Sequence, residues 1–301
     1  MKAVIQVDLD SLWTYRRYRN LDPPAPGAID PVYSVGVKRF LDMFRKNSIK
    51  ATFFVIGSDA LIPEHARIIK EIVEEGHEIA NHTMSHPLNF SSLAEEIIIE
   101  EIKKSHEILE RLSGKKVRGF RAPMFSIDER VLKILKGLAY VYDSSVLPSF
   151  IAPLALNCAH SILGGGLRNI SGSNIRFANT PLCLYRPDME NMAKRGQGKL
   201  YELPISVMPG LRLPMHSTYV FICGRWLFDW GLREMRKKQI HLNYLFHGID
   251  LLDIIKYDLK LPLFGGLEKR KNICEYIIER LKSECEVMST LDLIGKNGWC
   301  A

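Results

Sequence analysis

Apolar residues follow two different periods along the chain, and the two periods alternate. Residues 3–7 and 51–56 are short runs of β-branched and other apolar residues, as in strands. The stretch between them has apolar residues at the spacing of one helix face, at Val37, Phe40, Leu41 and Phe44. This order of strand, helix and strand predicts a unit of a parallel β-sheet or barrel.

The same alternation continues to residue 142. Further strands are predicted at residues 77–80, 117–120 and 139–142. Gly76 is expected to lie just after the end of the helix that precedes the first of these strands. The pairs Ser92 with Glu95 and Ser126 with Glu129 have the spacing of capping boxes, and they predict the starts of two more helices.

The alternation breaks after residue 143. Residues 144–199 are rich in Gly, Pro and Asn, which indicates a large insertion in loop conformation. Apolar runs resume at residues 200–207, 242–246 and 287–288. The pattern therefore predicts an α/β fold with roughly seven or eight strands and one large insertion after the fifth strand. The length of 301 residues is compatible with a single domain over residues 1–301.

Composition and charge exclude several classes of protein. The chain is 47% hydrophobic and 25% charged, which is typical of a globular protein with a sizeable core. Its net charge of +7 is scattered, which permits an anionic partner, but we predict no nucleic-acid partner. The first residues show no export signal, and no apolar stretch is suited to span a membrane. We therefore expect a cytoplasmic protein.

Residues that can bind a metal ion follow two of the predicted strands. Asp8 and Asp10 end the first strand and, being two residues apart, are expected to point the same way. His82 and His86 follow the third strand, and on a helical turn their spacing of four would bring both imidazoles within reach of one metal ion. On these residues alone, two exposed histidines and a carboxylate that caps a turn stay open as alternatives.

Two more polar residues follow predicted strands. Arg121 comes after residues 117–120, and His247 comes after residues 242–246. Barrels of β/α units assemble their active sites at these carboxyl ends of strands. A surface salt bridge is the alternative for Arg121. The other histidines have no partner at ligand spacing, so we predict structural or exposed positions for His65, His77, His106, His160, His216 and His241.

These motifs, in this order, resemble the polysaccharide deacetylase (NodB-homology) family. Residues 76–86 read Gly-His-Glu-Ile-Ala-Asn-His-Thr-Met-Ser-His and are similar to the family's second motif, a histidine, a Ser or Thr, two residues and a second histidine. Residues 52–55 resemble its second strand, residues 121–123 its third motif and residues 245–247 its last motif. The usual first motif has adjacent aspartates, whereas Leu9 separates them here, so the chain resembles a divergent Asp-x-Asp type.

The resemblance implies a fold and a metal site. The family has a distorted (β/α) barrel with about seven parallel strands. It holds a divalent metal ion, commonly zinc, through one aspartate and two histidines, which correspond here to Asp10, His82 and His86. Such a metal activates a water molecule for hydrolysis. The implied function is the metal-dependent removal of an N-acyl group, acetyl or formyl, from an amino sugar.

The resemblance also implies catalytic roles. Asp8 would be the general base, Arg121 the residue that orients it, and His247 the general acid. Asp143 resembles the family's acidic residue that tunes this histidine, and a cap at the strand end is the alternative. Because Leu9 separates the two aspartates, the roles of Asp8 and Asp10 could be exchanged.

Two other functions stay open from the sequence. An allantoinase-like hydrolase of a small cyclic amide belongs to the same family and would need a deep, closed pocket. A catalytically inactive carbohydrate-binding relative would keep the fold. Such relatives usually lose metal ligands, whereas this chain retains both aspartates, both metal-site histidines and His247.

Two apolar segments indicate where the substrate is found. Residues 144–167 carry no acidic or basic residue except a histidine and directly follow Asp143, while residues 219–230 are aromatic and precede a basic cluster at residues 233–238. Such a surface can rest on anionic lipid, and an ordinary barrel helix with a solvated basic end is the alternative. We expect a lipid-linked or intracellular amino sugar as substrate, with the protein at the inner face of the membrane. The sequence leaves the oligomeric state unknown.

Overall fold

The computed structural model of the protein describes residues 1–18, 21–22, 28–152, 175–257 and 265–296. Eight strands lie in these ranges: β1 Lys2–Asp8, β2 Thr52–Val55, β3 Glu78–Asn81, β4 Gly119–Phe120, β5 Tyr142–Asp143, β6 Tyr201–Glu202, β7 Leu242–His247 and β8 Glu286–Met288. The same ranges contain nine α-helices: α1 Leu12–Tyr18, α2 Lys38–Asn47, α3 Pro63–Glu74, α4 Glu95–Ser113, α5 Glu129–Gly137, α6 Ser217–Cys223, α7 Arg225–Lys237, α8 Leu267–Glu284 and α9 Thr290–Gly295.

The strands form one parallel sheet with the order β6-β5-β4-β3-β2-β1-β7. β7 pairs with β1 from Ala3 to Asp8, whereas β2 and β8 pair with different parts of it, β2 at residues 6–8 and β8 at residues 2–4. Among the described residues, an α-helix connects each pair of successive strands except β5 and β6, which the insertion joins. The predicted α/β fold with about seven parallel strands in a distorted barrel is confirmed.

The two end strands of the sheet, β6 and β7, approach each other without forming a strand ladder. The side-chain amide of Asn243 in β7 donates to the carbonyl oxygens of Leu203 (3.3 Å) and Pro204 (3.1 Å), just after β6. The backbone N–H of Ser206 donates to the carbonyl oxygen of Asn243 at 3.2 Å. These bonds join the two edges without a continuous strand ladder, which explains why the barrel is distorted.

The core follows from the apolar pattern of the sequence. Within β1, Ala3, Val4, Ile5 and Val7 are all fully buried, as expected for a parallel strand that is covered on both faces. The predicted stripe on α2 is also buried, at Val37, Phe40, Leu41 and Phe44. Burial of this stripe against the sheet stabilises α2 far more than its intrinsic helix propensity does.

The sequence predicted the end of α3 correctly and the starts of α4 and α5 incorrectly. Gly76 lies just after α3 with a φ of 81°, so the predicted helix end is confirmed. Neither predicted capping box forms, because the helices begin later than expected. α4 begins at Glu95 after Ala94, and α5 begins after Asp128, whose carboxylate accepts from the N–H of Val131 at 2.9 Å.

The predicted insertion is described in part. Residues 144–152 and 175–199 are described, and residues 153–174, which hold most of the apolar segment predicted at residues 144–167, lie outside the described ranges. Tyr185 forms an antiparallel bridge with Glu202, which attaches the later part of the insertion to β6. Arg176 pairs with Glu129 at 3.0 Å and attaches it to the start of α5. The single-domain organisation stays a prediction.

Among the helices described, none combines the length and the apolar composition needed to cross a membrane.

A close backbone approach positions the turn that follows β7. Val32–Val37 form a π-helical turn before α2, and Gly36 in this turn faces the carbonyl oxygen of Gly248. A Cβ atom on Gly36 would lie 2.4 Å from that oxygen, and one on Gly248 would lie 2.4 Å from a methyl group of Val32. Both positions therefore need glycine because there is no room for a side chain.

Replacing Gly36 by Ala is expected to destabilise the fold by about 1–3 kcal/mol, because the new methyl group overlaps a backbone atom that cannot rotate away. Urea unfolding measures the free energy of unfolding directly. The control is Gly137→Ala in α5, where a Cβ meets no atom within 4 Å; it should be neutral or stabilise by about 0.5–1 kcal/mol. Equal stability of the two variants would contradict the close approach.

Candidate functional site

Asp10, His82 and His86 converge at the carboxyl ends of β1 and β3. Oδ1 of Asp10 lies 3.3 Å from Nε2 of His82 and 3.2 Å from Nε2 of His86. The ligand atoms of the three residues all lie within 4.8 Å of one another. Both imidazoles are buried, and the Asp10 side chain is 13% exposed. This is the arrangement that one small cation needs in order to contact all three side chains.

The two histidines meet through a turn, so the predicted helical turn is wrong. β3 ends at Asn81, and the chain then takes left-handed backbone angles at Thr83 (φ 66°) and His86 (φ 54°). The Asn81 side chain accepts from the N–H of Thr83 at 2.8 Å, and the hydroxyl oxygen of Thr83 accepts from the N–H of His86 at 3.1 Å. These bonds hold a backbone conformation that is unfavourable for a β-branched residue.

Further hydrogen bonds fix the orientation of each candidate ligand. Nδ1 of His82 lies 2.7 Å from the carbonyl oxygen of Arg121, so this nitrogen carries a proton. Nε2 of the neutral ring, which faces Asp10, then has a lone pair that can bind a cation. The Tyr18 hydroxyl contacts Nδ1 of His86. The Tyr15 hydroxyl donates to Oδ2 of Asp10 at 3.3 Å, which leaves Oδ1 to face the imidazoles.

Helix α1, which follows β1, was not predicted from the sequence. This helix supplies Tyr15 and Tyr18, and its Arg17 also donates to the carbonyl oxygens of Ser85 (2.8 Å) and His86 (3.1 Å). α1 therefore braces the turn that carries His86. A usable signal was present, since Tyr15 and Tyr18 are three residues apart and so lie on one face of a helix.

The chemistry of these residues fits a divalent metal ion. Oδ1 of Asp10 and Nε2 of His86 are buried and have no hydrogen-bond partner in the described parts of the chain, which is costly unless a ligand completes the site. Burial raises the pKa of Asp10, but the two imidazoles outweigh it and hold this pKa well below its usual value. Burial lowers the pKa of His86, which favours its neutral form. Burial also lowers the pKa of His82, but its hydrogen bond with Asp10 outweighs burial and raises this pKa. Two imidazoles and one carboxylate are typical zinc ligands.

Asp8 forms a buried ion pair with Arg121 beside this group. Nη1 of Arg121 donates to Oδ1 of Asp8 at 2.6 Å, and neither residue is more than 4% exposed. Arg121 also donates to the side chain of Gln6 and to the backbone oxygen of Ser144 at 2.7 Å. The guanidinium lies 4.1 Å from the centre of the Phe54 ring. A surface salt bridge, the alternative for Arg121, is therefore wrong.

His247 ends β7 directly opposite Asp8. The two residues are partners in the β1–β7 ladder, so their side chains leave the same face of the sheet. The backbone N–H of His247 donates to Oδ2 of Asp250 at 2.8 Å, and the Ser217 hydroxyl lies 3.4 Å from Nδ1 of His247. Ser217 also shares a hydrogen bond with Asp250. The sequence analysis did not single out Ser217 or Asp250.

His216 was predicted to be structural or exposed, and the structure places it beside His247. It is 6% exposed, and its ring centre lies 5.8 Å from that of His247. Its other aromatic neighbours are Tyr219 at 4.9 Å and Phe125 at 6.5 Å. No spacing rule could have found it, because the start of α6 and the end of β7 bring the two histidines together from positions 31 residues apart.

Asp143 does not lie where its predicted role requires. None of the hydrogen bonds found between described residues joins Asp143 to His247. Oδ1 of Asp143 instead accepts from the Ser145 hydroxyl at 2.5 Å, and its carboxyl group contacts that of Glu202. The acidic residue beside His247 is Asp250. Asp250 follows His247 by three residues in the chain, so local sequence rather than the fifth strand supplies this carboxylate.

Asp143 and Glu202 form a carboxyl pair that must share a proton. They are partners in the β5–β6 ladder, and both are fully buried. No other donor reaches Oδ2 of Asp143 or Oε2 of Glu202 among the described residues, so the hydrogen between them must come from one of the two carboxyl groups. Burial and the neighbouring Asp143 raise the pKa of Glu202 well above its usual value, which makes Glu202 the protonated partner.

Comparison with known proteins supports the resemblance that the motifs suggested. Residues 28–142 match the family described as "Polysaccharide deacetylase". The resemblance of this part of the chain to the polysaccharide deacetylase family is thereby confirmed. The matched residues include His82, His86 and Arg121, whereas Asp8, Asp10 and His247 lie outside them.

Two relatives of the polysaccharide deacetylase family show how far the similarity reaches. A peptidoglycan-N-acetylglucosamine deacetylase of Bacillus cereus is 40% identical over 95 residues, which cover 32% of this chain and 34% of that protein. A chitin deacetylase of Arthroderma benhamiae is 37% identical over 102 residues, which cover 33% of this chain and 27% of that protein. The chain thus spans about a third of the length of these relatives.

The fold as a whole is similar to a crystal structure of a putative polysaccharide deacetylase from Mycobacterium smegmatis. The TM-score is 0.63 at 18% sequence identity, and the similarity covers 98% of this chain and 89% of that chain. At this identity the comparison shows the fold alone, and this similarity in fold covers almost the whole chain.

Replacing Glu202 by Gln is expected to make the protein less sensitive to alkaline pH. The folded chain holds the Glu202 proton more tightly than the unfolded chain, so its contribution to stability is complete below about pH 4.5 and is lost as the pH rises through the raised pKa. Gln keeps the shape of the protonated acid and cannot ionise. The melting temperature of the variant minus that of the wild type should therefore increase from about pH 5 to about pH 9.

The control for this measurement is Glu190→Gln, because the Glu190 side chain is 81% exposed. The melting temperature of Glu190→Gln minus that of the wild type should not change with pH. If the same difference for Glu202→Gln stays constant or falls as the pH rises, the shared proton is contradicted.

Proposed function

We propose that this protein is a metal-dependent hydrolase that removes an N-acyl group, acetyl or formyl, from an amino sugar. The observation that carries the proposal is the convergence of Asp10, His82 and His86 beside the buried Asp8–Arg121 pair. The named relatives favour an N-acetylated sugar, because one is a peptidoglycan-N-acetylglucosamine deacetylase and another a chitin deacetylase.

Asp10, His82 and His86 would hold one divalent ion, and zinc suits this set of two nitrogen atoms and one oxygen atom. When bound, the ion supplies a Lewis acid that polarises the amide carbonyl and acidifies a water molecule. The hydrogen bonds from His82 to Arg121 and from Tyr15 to Asp10 keep the ligand atoms turned toward the ion.

Asp8 would act as general base. Its Oδ1 is held by Arg121 at 2.6 Å, so Oδ2 is left to accept a proton from the attacking water. Arg121 cannot take that proton because a guanidinium stays protonated in proteins. The ion pair therefore orients the carboxylate without competing for the proton.

His247 would act as general acid. It leaves the sheet on the same face as Asp8 and on the neighbouring strand, so the two side chains can reach opposite sides of one scissile bond. As the carbon–nitrogen bond breaks, the imidazole gives a proton to the departing amine of the sugar. Ser217 and Asp250 hold the histidine in position through Nδ1 and the backbone N–H.

We extend the proposal to an amino sugar that carries a lipid. The support is the apolar composition of residues 144–167 and of residues 219–230, which exceeds what a sugar ring needs for binding. The cytoplasmic location expected from the sequence stays a prediction.

The proposal is tested by measuring acetate or formate release from N-acetylated and N-formylated amino-sugar glycosides with metal-loaded protein. Release is expected, and chelation of the metal should abolish it. Hydrolysis of a cyclic amide instead would support an allantoinase-like hydrolase. Full metal content without hydrolysis of any of these substrates would support a catalytically inactive relative. Either result would contradict this proposal.

Purified protein is expected to contain about one divalent ion per chain, and the double variant His82→Ala, His86→Ala should lose it, because one carboxylate alone cannot hold a structural or catalytic zinc ion. Metal analysis by mass spectrometry gives the content. The control is His106→Ala, since His106 pairs with Glu110 and Tyr140. Unchanged metal content in the double variant would contradict the assignment of His82 and His86 as ligands.

Asp8→Asn and Asp10→Asn should have different effects. Asp8→Asn is expected to keep the metal and to lower the rate of acyl release about 10²–10⁴-fold, because it removes a base and not a ligand. Asp10→Asn is expected to weaken metal binding at least about tenfold. Metal content and rate are measured on both variants. Circular dichroism shows whether the Asp8→Asn variant, which loses the charge partner of Arg121, remains folded. If Asp8→Asn is the variant that loses the metal, the two roles are exchanged.

A further inference from the structure

Helices α6 and α7 expose a surface that the proposed chemistry does not use. We call it the tryptophan face and define it by Ile222, Trp226, Trp230, Arg233 and Lys237. Trp226 is 51% exposed, Trp230 is 37% exposed and Ile222 is 45% exposed. The last four members follow the spacing i, i+4, i+7 and i+11, so they form one stripe along α7.

The opposite side of α7 already supplies the packing that holds the helix in place. Leu227, Phe228, Leu232 and Met235 are buried in the main core. The indoles of Trp226 and Trp230 contact each other, with ring centres 6.1 Å apart, and project away from that core. The packing of α7 therefore does not require these two large apolar side chains, and their exposure at the surface is typical of an interaction site.

The charges on α7 favour an anionic partner. Its two acidic residues are neutralised within the chain, since Asp229 pairs with Arg280 at 2.9 Å and Glu234 pairs with Lys237 at 2.7 Å. Arg233 is exposed on the stripe and has no hydrogen bond or ion pair with any part of the chain that the structure describes. Exposed residues Arg236, Lys237 and Lys238 follow it, and of these Arg236 pairs with Glu284 and Lys237 with Glu234. Tryptophan beside basic residues is the combination found where proteins rest on anionic bilayers.

The tryptophan face is close to the candidate active site. α6 begins at Ser217, whose hydroxyl lies 3.4 Å from Nδ1 of His247, and the face begins five residues later at Ile222. Five residues of α-helix span about 7.5 Å. A surface on which Ile222 and Trp226 rest would therefore lie within reach of a substrate bound at His247.

We propose that the tryptophan face binds the surface of an anionic lipid bilayer, with the indoles at the headgroup level and Arg233 against the lipid phosphates. This surface would bring the protein to the bilayer that holds the proposed lipid-linked substrate, and only this connection to the substrate rests on the proposed function. Binding to lipid can be measured without any substrate, so the two proposals can fail separately.

Sedimentation of metal-loaded protein with vesicles tests the proposal. Vesicles of equal parts phosphatidylglycerol and phosphatidylcholine should bind the protein, and vesicles of phosphatidylcholine alone should bind it much less. Raising the salt concentration should weaken binding to the anionic vesicles, because salt screens the contribution of the basic residues.

Variants locate the surface. The double variant Trp226→Ala, Trp230→Ala should lower vesicle binding at least about tenfold through lost apolar contact, and Arg233→Gln should lower it about fivefold. The matched controls are Leu61→Ala, a 54% exposed apolar residue after β2, and Lys46→Gln, an exposed basic residue on α2. Both controls should bind vesicles like the wild type.

Three results would overturn the proposal. The first is no binding to anionic vesicles at low salt, and the second is binding that the controls reduce as much as the tryptophan variants do. The third is a concentration-dependent dimer in sedimentation velocity that the tryptophan variants abolish, which would make a second copy of the chain the partner. Acyl release from a soluble glycoside should be the same for the tryptophan variants and the wild type, and its absence in both would count against the proposed function alone.

Discussion

The arrangement of the candidate site depends on one buried cation. Arg121 is fully buried, and a guanidinium in that position must be neutralised and hydrogen-bonded, since breaking such a pair costs about 3–5 kcal/mol. Asp8 supplies the charge, while Gln6 and Ser144 take the remaining donors. The carbonyl oxygen of Arg121 also orients His82. One residue thus fixes both the candidate base and a candidate metal ligand, and it ties β1, β3, β4 and β5 together at the edge where the site lies.

The sheet explains why acid, base and metal ligands meet there. β1 carries Asp8 at its end and Asp10 just beyond it, β3 leads into the turn with His82 and His86, and β7 ends at His247. All pairings of these strands are parallel, so their carboxyl ends lie together. The glycines at positions 36 and 248 let the turn after β7 approach the π-helical turn before α2, and this approach sets the position of His247.

Local patterns could predict the strands, the α2 stripe and the residues that converge at the site, because each of these follows from a short motif. The reason given for His82 and His86 was wrong, since a turn with left-handed angles and not a helix brings them together. Asp143 and His216 could not be placed, because their neighbours Glu202 and His247 come from distant parts of the chain and depend on strand order and register. The missed α1 depends on contacts of Tyr15, Arg17 and Tyr18 with the finished site.

The central claim is that Asp10, His82 and His86 hold a divalent metal ion. Its most direct test is a crystal structure of protein loaded with zinc, measured with X-rays at wavelengths on either side of the zinc absorption edge. One anomalous peak is expected above the edge, about 2.0–2.2 Å from Oδ1 of Asp10 and from Nε2 of both histidines. A peak ligated by Asp8 in place of Asp10, or no peak between these side chains, would contradict the account.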